Sequence, residues 1–539
     1  MKIVDPLDKL RWWKSAYTVV ALCAATATGL PAQTLTTLYG FCGAAPCPQG
    51  RYASGALVQG TDGYGYGTTG LGGANPAPGG YGGGTVFKIS PNGTLTTLYS
   101  FCSQSGCTDG EYPLGGLVQA SAGDHDFYGT TAGGGANPCS PPLAFSGCGT
   151  IFKISPSGTL ATLYSFCAEG SYPNCADGYV PNGLVQAANG DLYGTTTYGG
   201  ASYLCTGPDH LLLGCGTVFK ITPSGTLTTL YSFCSQIGCA DGEFPNGGLI
   251  QAGNGDLYGT TADGGSGSLC TNLETTGCGT VFKITPSGTL TTLYSFCSQS
   301  GCPDGWSPAA GLVQATNGDL YGTTDLGGNC GFQSGCGTVF KITPAGTLTT
   351  LYSFCSGSDG NCPDGGLPDA PLIQASSGDL YGITTHYGAE NCESFCGTIF
   401  KITPSGTLTT VHQFCRQRYC PNGGEPLWAL VQATNGDFYG TTYFGGVNGG
   451  GTVFSLSVGL GPFVKTLTPS GEAGAAVTIL GSDLSGATSV TFNGAAATFT
   501  VNSTGTAIET AVPTGASSGP VRVVTPAGAL SSKPFQVLP

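Results

Sequence analysis

The sequence predicts an all-β protein: a seven-bladed β-propeller closed by its N-terminal strand, followed by a small Ig-like β-sandwich. Three observations lead there. One hairpin pattern, GTVFKITPSGTLTTLYSF at Gly279–Phe296, recurs along most of the chain. Gly supplies 94 of 539 residues and only 9% are charged, while the apolar runs are rich in Val, Thr, Tyr and Phe and show no helical period. Finally, the strand that ends every repeat stands alone before the first unit and is missing from the last.

Residues 1–33 stand apart. Lys2, Lys9, Arg11 and Lys14 precede an apolar run, Ala16–Leu30, and small residues follow up to Leu30-Pro31-Ala32. A basic stretch, a short apolar core and a small exit residue describe a secretory signal peptide. The run is shorter than the roughly 20 residues that span a bilayer, so an exported chain without a transmembrane span is expected, at the cell surface or extracellular, with the periplasm also open. Cys23 follows Leu22, where a lipoprotein signal needs a small residue, so lipidation is not expected. Removing this segment leaves 12 basic against 28 acidic residues, a net charge near −16 where the whole chain has −14. That charge argues against electrostatic binding of nucleic acid or anionic membranes. It is compatible with cation binding or simply with solubility.

Each strand can be justified in order. In GTVFKI, Phe282 and Ile284 take one face and Val281 the other; in TLTTLYSF, Leu290, Tyr294 and Phe296 are expected to share a face. Pro286-Ser287-Gly288 between them is turn chemistry. One unit reads TLTTLYSF, a loop, LVQA, an NGD turn, LYGTT, a Gly-rich loop and GTVFKI. LVQA-type strands begin at Leu57, Leu117, Leu184, Leu249, Leu312, Leu372 and Leu430. GTVF-type strands begin at Gly84, Gly149, Gly216, Gly279, Gly337, Gly397 and Gly451, and TLTTL-type strands at Thr34, Thr94, Thr159, Thr226, Thr289, Thr347 and Thr407. Four strands per unit, repeated seven times at a spacing of about 60 residues, predict a ring of blades over 34–459. An open solenoid is the alternative, but it would need caps. The lone Thr34–Phe41 strand can instead complete the unit that stops after Gly451–Leu456, removing both open edges. With LVQA innermost, the NGD and PSG turns fall on one face (the turn face) and both long loops on the other (the loop face).

Without Cys23 there are 24 cysteines, an even number in a chain expected to be exported. Seven pairs follow the outer strand: Cys42/Cys47, Cys102/Cys107, Cys167/Cys175, Cys234/Cys239, Cys297/Cys302, Cys355/Cys362 and Cys415/Cys420. Five more precede GTVF: Cys139/Cys148, Cys205/Cys215, Cys270/Cys278, Cys330/Cys336 and Cys392/Cys396. Local disulfides stapling the loop face are expected, with crossing between the two loops of a unit as the alternative. Zinc is disfavoured by the spacings and by four histidines (His125, His210, His386, His412) that share no repeat position.

The pattern LVQATNGDLYGTTDLGG…CGTVFKITPAGTLTTLYSF (Leu312–Phe354) resembles the GloVer, or Gloeo_Verruco, tandem repeat of bacterial exported proteins, and the likeness covers nearly all of Thr34–Leu456. The resemblance implies a propeller-like extracellular protein and carries no residue roles. Residues 460–539 form a second domain. PSGEAGAAVTILGSDL, then SVTFNG, VPTGASSGPVRV and PFQV, look like an IPT/TIG immunoglobulin-like domain. Some such domains bind DNA. Here Lys465, Arg522 and Lys533 face Glu472, Asp483 and Glu509 without a basic patch, which predicts a spacer or adhesion role. No C-terminal sorting motif is seen before Pro539.

Candidate chemistry is sparse. Asp109, Asp177, Asp241, Asp304 and Asp364, of the DG step before the inner strand, are positioned to ring the channel mouth and hold Ca²⁺, or else to cap turns. In the first and last units Gln49 and Asn422 replace them. The NGD aspartates Asp191, Asp256, Asp319, Asp379 and Asp437 read as turn formers. Lys88, Lys153, Lys220, Lys283, Lys341 and Lys401 read as a solvated stripe. Tyr52, Tyr112, Tyr179, Phe244, Trp306 and Trp428 near the inner strand are candidates for stacking on sugars or gripping a peptide, with packing between blades as the alternative. No nucleophile elbow, HExxH, P-loop, EF-hand or sialidase-type Asp box stands out. Other than Ca²⁺ no cofactor is expected. The sequence therefore predicts a non-catalytic binding or adhesion protein for a glycan or protein ligand, or a structural surface protein. The alternative is an exported carbohydrate-active hydrolase or lyase working at the channel mouth. An asymmetric carboxylate pair would favour the enzyme.

Overall fold

The computed structural model describes residues 33–538 except 44–45, 78–79, 122, 124, 140–145, 203–204, 206–212, 268–276, 331–334, 357–361, 389–394 and 418. The expected signal peptide, Cys23, His210, Cys270 and Cys392 lie outside the described residues. Nearly all regular structure is β, and no helix among the described residues is long and apolar enough to cross a membrane.

Seven four-stranded antiparallel sheets are seen among the described residues of the repeat region. The fourth is representative: Ile250–Gln251, Leu257–Thr261, Thr280–Ile284 and Leu290–Ser295, paired in that order from inner to outer strand. The seventh consists of Val431–Gln432, Phe438–Thr442, Gly449–Ser457 and, as its outer strand, Thr34–Cys42. Thr34 pairs with Ser457 and Thr37 with Phe454, so the first strand meets the last strand of the repeat region.

Two contacts repeat from sheet to sheet and return to the start. Each inner-strand Gln accepts, on Oε1, a backbone N–H from the preceding sheet. Thr61 donates to Gln119, Ser121 to Gln186, Ala188 to Gln251 and Gly253 to Gln314, at 2.8–3.1 Å. Thr316 then donates to Gln374, Ser376 to Gln432 and Thr434 to Gln59, which joins the seventh sheet to the first. Farther out, each outer-strand Phe meets the third-strand Phe of the next sheet at 5.2–5.5 Å. Phe296 against Phe340 is one such pair, and Phe41 against Phe87 again links last to first. Edge-on aromatic pairs of this kind add about 0.5–1.5 kcal/mol each beyond burial.

The outer strand departs from strict alternation. Val281 pairs with Tyr294 but Phe282 with Thr292, leaving Leu293 as a bulge, and the same shift occurs in the other outer strands. The extra residue inverts the facing beyond it, so Tyr294 and Phe296 lie on the Val281 side rather than with Leu290. Leu290 packs with Phe282 and Ile284 against the preceding sheet, and Tyr294 and Phe296 pack against the following one.

Residues from Lys465 to Leu538 form two further sheets, Lys465–Thr466/Ala476–Leu480/Ala507–Ala511/Phe499–Val501 and Ser470–Glu472/Gly528–Leu538/Gly519–Thr525/Ser489–Phe492/Ala495–Ala497. Between them lies an apolar core including Val477, Ile479, Phe492, Ile508, Val523 and Phe535.

Candidate functional site

The loop face is stapled locally. Ten disulfides among the described residues all join cysteines 5–10 positions apart, with no crossing between the two loops of a unit. After the outer strands Cys42 bonds Cys47, Cys102 bonds Cys107, Cys167 bonds Cys175 and Cys234 bonds Cys239. Cys297 bonds Cys302, Cys355 bonds Cys362 and Cys415 bonds Cys420 in the same way. Before the third strands Cys139 bonds Cys148, Cys205 bonds Cys215 and Cys330 bonds Cys336. Cys278 and Cys396 are also disulfide-bonded.

A role as staples alone is too narrow for these cysteines. The two loops of a unit are joined by a backbone carbonyl, that of the second cysteine after the outer strand. The Cys47 carbonyl accepts the Gly50 and Gly73 amides, and the Cys302 carbonyl those of Gly305 and Gly328. Cys362 accepts Gly365 and Gly388, and Cys420 accepts Gly423 and Gly446, all at 2.8–3.0 Å. The first amide of each two closes the cysteine's own turn, and the second belongs to the Gly-rich loop before the third strand. Cys336 differs: its N–H donates to the Gly327 carbonyl, and its own carbonyl accepts the Leu367 amide of the next unit. Cysteine spacing predicts the covalent bond but carries no sign of where the carbonyl points, so these links were not legible in the sequence.

The DG aspartates are each folded back on the outer strand that opens their own unit. Asp109 accepts the Tyr99 hydroxyl at 2.8 Å and the Ser103 and Gln104 amides. Asp177 accepts Tyr164, Ala168 and Glu169, and Asp241 accepts Tyr231, Ser235 and Gln236. Asp304 takes the Tyr294 hydroxyl and Cys297 amide, and Asp364 the Tyr352 hydroxyl and Cys355 amide. Burial first, then the carboxylate, pushes the Tyr294 hydroxyl up to about 12. These donors are supplied by each aspartate's own loop and strand, which is why the carboxylates are drawn outward rather than around the channel mouth. Among the described residues none of the five belongs to a His, Cys, Asp or Glu group close enough to hold an ion.

The aromatic candidates do not share one repeat position, so they do not form one platform. The residue at φ near +55° before the inner strand is Tyr52, Tyr112, Val180, Phe244, Ser307, Leu367 or Glu425. Tyr179 and Trp306 stand one residue earlier and Trp428 three later. Tyr52 stacks on Tyr443 at 4.7 Å, beside Tyr112. Tyr179 is fully buried, donates to the Leu213 carbonyl and packs on Tyr198, which meets Phe244 edge-on at 5.6 Å. Trp306 packs into the core between the fourth and fifth sheets, and the Trp428 indole donates to the Ala53 carbonyl at 3.1 Å. The NGD aspartates bond within their turns, as Asp256 does with Asn254. Four of them also pair with the supposed lysine stripe, Lys283–Asp256 at 3.6 Å being typical.

The loop face does assemble a group that sequence reasoning missed. Asp325, following the second strand of the fifth sheet, meets Asp369, preceding the inner strand of the sixth, beside Thr385 and His386. Asp325 Oδ1 is buried without a hydrogen-bond partner, while the Thr385 hydroxyl donates to the Leu367 carbonyl and lies 2.8 Å from His386 Nδ1. Burial, then the charge of Asp325, holds the Asp369 carboxyl well above the ordinary range; burial raises Asp325 and Glu425 as well. Burial lowers His386 against the pull of Asp325. Two buried carboxyls in contact disfavour the doubly charged state. Phe395, 51% exposed, lies 5.1 Å from His386 and leads on to Phe444, next to Tyr443 in the chain. Such a group can hydrogen-bond hydroxyls, stack on a sugar ring or exchange a proton.

The sequence model of the Gloeobacter/Verrucomicrobia repeat matches residues 25–207, 171–371 and 361–508. The chain belongs to this repeat family. No curated protein matches it. Among solved structures, a fungal alcohol oxidase of the AA5 family in complex with copper aligns at 12% identity over 94% of this chain and 99% of its own, with a TM-score of 0.47. The extracellular domain of a putative hybrid two-component system from B. thetaiotaomicron aligns at 10% identity over 92% of this chain and 46% of its own, with a TM-score of 0.45. A putative gluconolactonase aligns at 11% identity over 80% and 94%, with a TM-score of 0.37.

Against the Gloeobacter/Verrucomicrobia repeat, the acid pair is a local departure. At the Asp325 position the other units carry Gly70, Ala132, Thr197, Ala262, Thr385 and Tyr443; at the Asp369 position they carry Ser54, Leu114, Asn182, Asn246, Ala309 and Leu427. Comparing those two columns would have exposed both acids. On the turn face of the repeats rests the C-terminal sandwich. Thr478 donates to the Ser121 carbonyl, Asn502 to Thr61, and Thr434 and Ser482 share a hydrogen bond at 2.9 Å. His125 Nε2 lies 3.2 Å from Glu509.

Proposed function

We propose that this protein is an exported seven-bladed propeller, ring-closed by its N-terminal strand, which binds a glycan on its loop face and carries an IPT/TIG-type Ig-like domain on the other. The cyclic Gln and Phe contacts support the closed ring, and ten local disulfides support passage through an oxidising compartment. The binding reading rests on one observation: the acid pair Asp325–Asp369, beside His386 and the exposed Phe395, which leads through Phe444 toward Tyr443, breaks repeat symmetry at one place on the loop face. A screen of residues 34–539 against polysaccharides and cell-wall material tests it. Saturable binding, weakened at least tenfold in Phe395→Ala or Tyr443→Ala, is expected. Because the DG carboxylates already accept internal hydrogen bonds, a chelator should leave that binding unchanged. Binding that ignores both substitutions would sink the loop-face site.

A second reading, a carbohydrate-active enzyme, is favoured specifically by the contact between two buried carboxyls, Asp325 and Asp369. Release of reducing ends that stops in Asp369→Asn, with binding retained, would establish it. Binding without release would leave the protein a binder.

A further inference from the structure

Where the sandwich meets the turn face, a cavity of about 720 Å³ remains. Its floor is the turn-face end of the inner strands, with Ile250, Val313, Ile373 and Val431; its roof carries Lys465 and Lys533. Lys465 Nζ donates to the Gln432 carbonyl at 3.2 Å and Lys533 Nζ to the Gln374 carbonyl at 2.6 Å.

These two cations are unusual in this chain. Lys153, Lys220, Lys283, Lys341 and Lys401 each sit against an aspartate, and Lys88 lies over the Tyr64 ring. Among the described residues Lys465 and Lys533 have carbonyl partners, and no Asp or Glu lines their cavity. Other hydrogen bonds also tie the sandwich to the first, second and seventh sheets. Lys533 is exposed and lines the cavity. Burial draws both ammonium groups down to about 8, and repulsion by Lys533 adds to the effect on Lys465. Two mutually repelling cations facing a cavity without acids leave a charge deficit that a bound anion would fill. The volume falls in the range of small-molecule sites, which combine apolar walls with a few convergent polar groups.

We propose that this interdomain cavity binds a small organic anion, whose carboxylate or phosphate sits between Lys465 and Lys533 while its body lies against the inner-strand Ile and Val side chains. The site is separate from the loop face, so either can fail without the other.

Isothermal titration of the 34–539 protein with glucuronate, citrate, glucose 6-phosphate and neutral glucose tests the proposal. Saturable binding of at least one anion, one per chain and at least tenfold tighter than glucose, is expected, and the preferred probe separates carboxylate from phosphate. Lys465→Met and Lys533→Met should each weaken it at least tenfold, while Asp369→Asn leaves it unchanged. Affinity should fall as pH rises from 7 to 9, since the two lysines are the titratable groups on the described cavity wall and lose charge there. If the lysine variants fail to fold, limited acetylation of the unsubstituted protein decides. A bound anion should protect Lys465 and Lys533 but not Lys220. Failure of every anion to bind more tightly than glucose, undiminished binding by folded lysine variants, or no protection would each overturn the proposal.

Discussion

His412 stands where the other units carry Tyr39, Tyr99, Tyr164, Tyr231, Tyr294 and Tyr352, and where five of those tyrosines bond a DG aspartate, its unit carries Asn422. Its Nε2 is buried without a partner, and burial, aided by Arg416, lowers it to about 4, so it is neutral at physiological pH. The double variant His412→Tyr/Asn422→Asp rebuilds the bond made by Tyr294 and Asp304. It should gain about 1 kcal/mol in denaturant unfolding, the net worth of one satisfied hydrogen bond. Asp263 points the other way. Burial, then Glu243, raises it to about 7, so the folded state prefers its protonated form. As pH rises from about 4 the unfolded chain ionises first, and stability is lost until about pH 7. Asp263→Asn should therefore match the parent near pH 4 and exceed it by on the order of 2 kcal/mol at pH 8, partial exposure screening the full effect. Melting curves at the two pH values check this. At this scale the sequence was least legible. Tyr–Asp pairs hid behind a plausible calcium ring because aspartate in an Asp-Gly turn looks the same whether it faces a metal or an amide. Asp325 and Asp369 lie 44 positions apart in different repeat columns, and only the packing of two neighbouring sheets joins them.

Strand order and pairing were readable because each strand type occurs seven times, and any one copy can be checked against the others. The bulge at Leu293 was not, since inserting a residue into an apolar strand leaves its composition unchanged while inverting the faces beyond it. Its effect is that one strand grips two neighbours, Leu290 holding the sheet before and Phe296 the sheet after. The second strand is held to similar tolerances. A Cβ on Gly259 would lie 2.6 Å from Phe282 Cζ, inside a packed ring. Gly259→Ala should cost about 1–3 kcal/mol, the usual toll of overpacking, and a chemical melt reads it directly. The inner-strand glutamine is the other shared device. Gln314 bonds the Gly253 amide of one sheet and the Gly318 carbonyl of its own turn. Gln314→Ala and Gln59→Ala should lose similar stability, on the order of 1–2 kcal/mol, if the contact between the seventh and first sheets equals the internal ones.

For the whole molecule, the lone first strand was the most informative feature of the sequence, because a repeat out of phase at both ends has an evident remedy. Deleting residues 34–42 should leave Gly449–Ser457 as an open edge. Light scattering should then report oligomers or aggregate, and a stable monomer would count against ring closure. What no repeat analysis could locate was the cavity beneath the sandwich. Lys465 and Lys533 lie 68 positions apart, and their partners are backbone carbonyls of another domain, which leave no trace in side-chain patterns.

The pairing of Thr34–Cys42 with Gly449–Ser457 also sets a timetable. Synthesis delivers the two strands about 400 residues apart. At roughly 5–20 residues per second the earlier one waits on the order of 20–80 s for its mate. Throughout that interval the nascent chain is an unfinished arc with a sticky end. Each observed cystine, in contrast, needs only a partner at most ten residues behind it, so covalent closure of the loops can keep pace with emergence. Thiol oxidation would come first and circularisation last, and a chaperone guarding this chain would have one strand to shield.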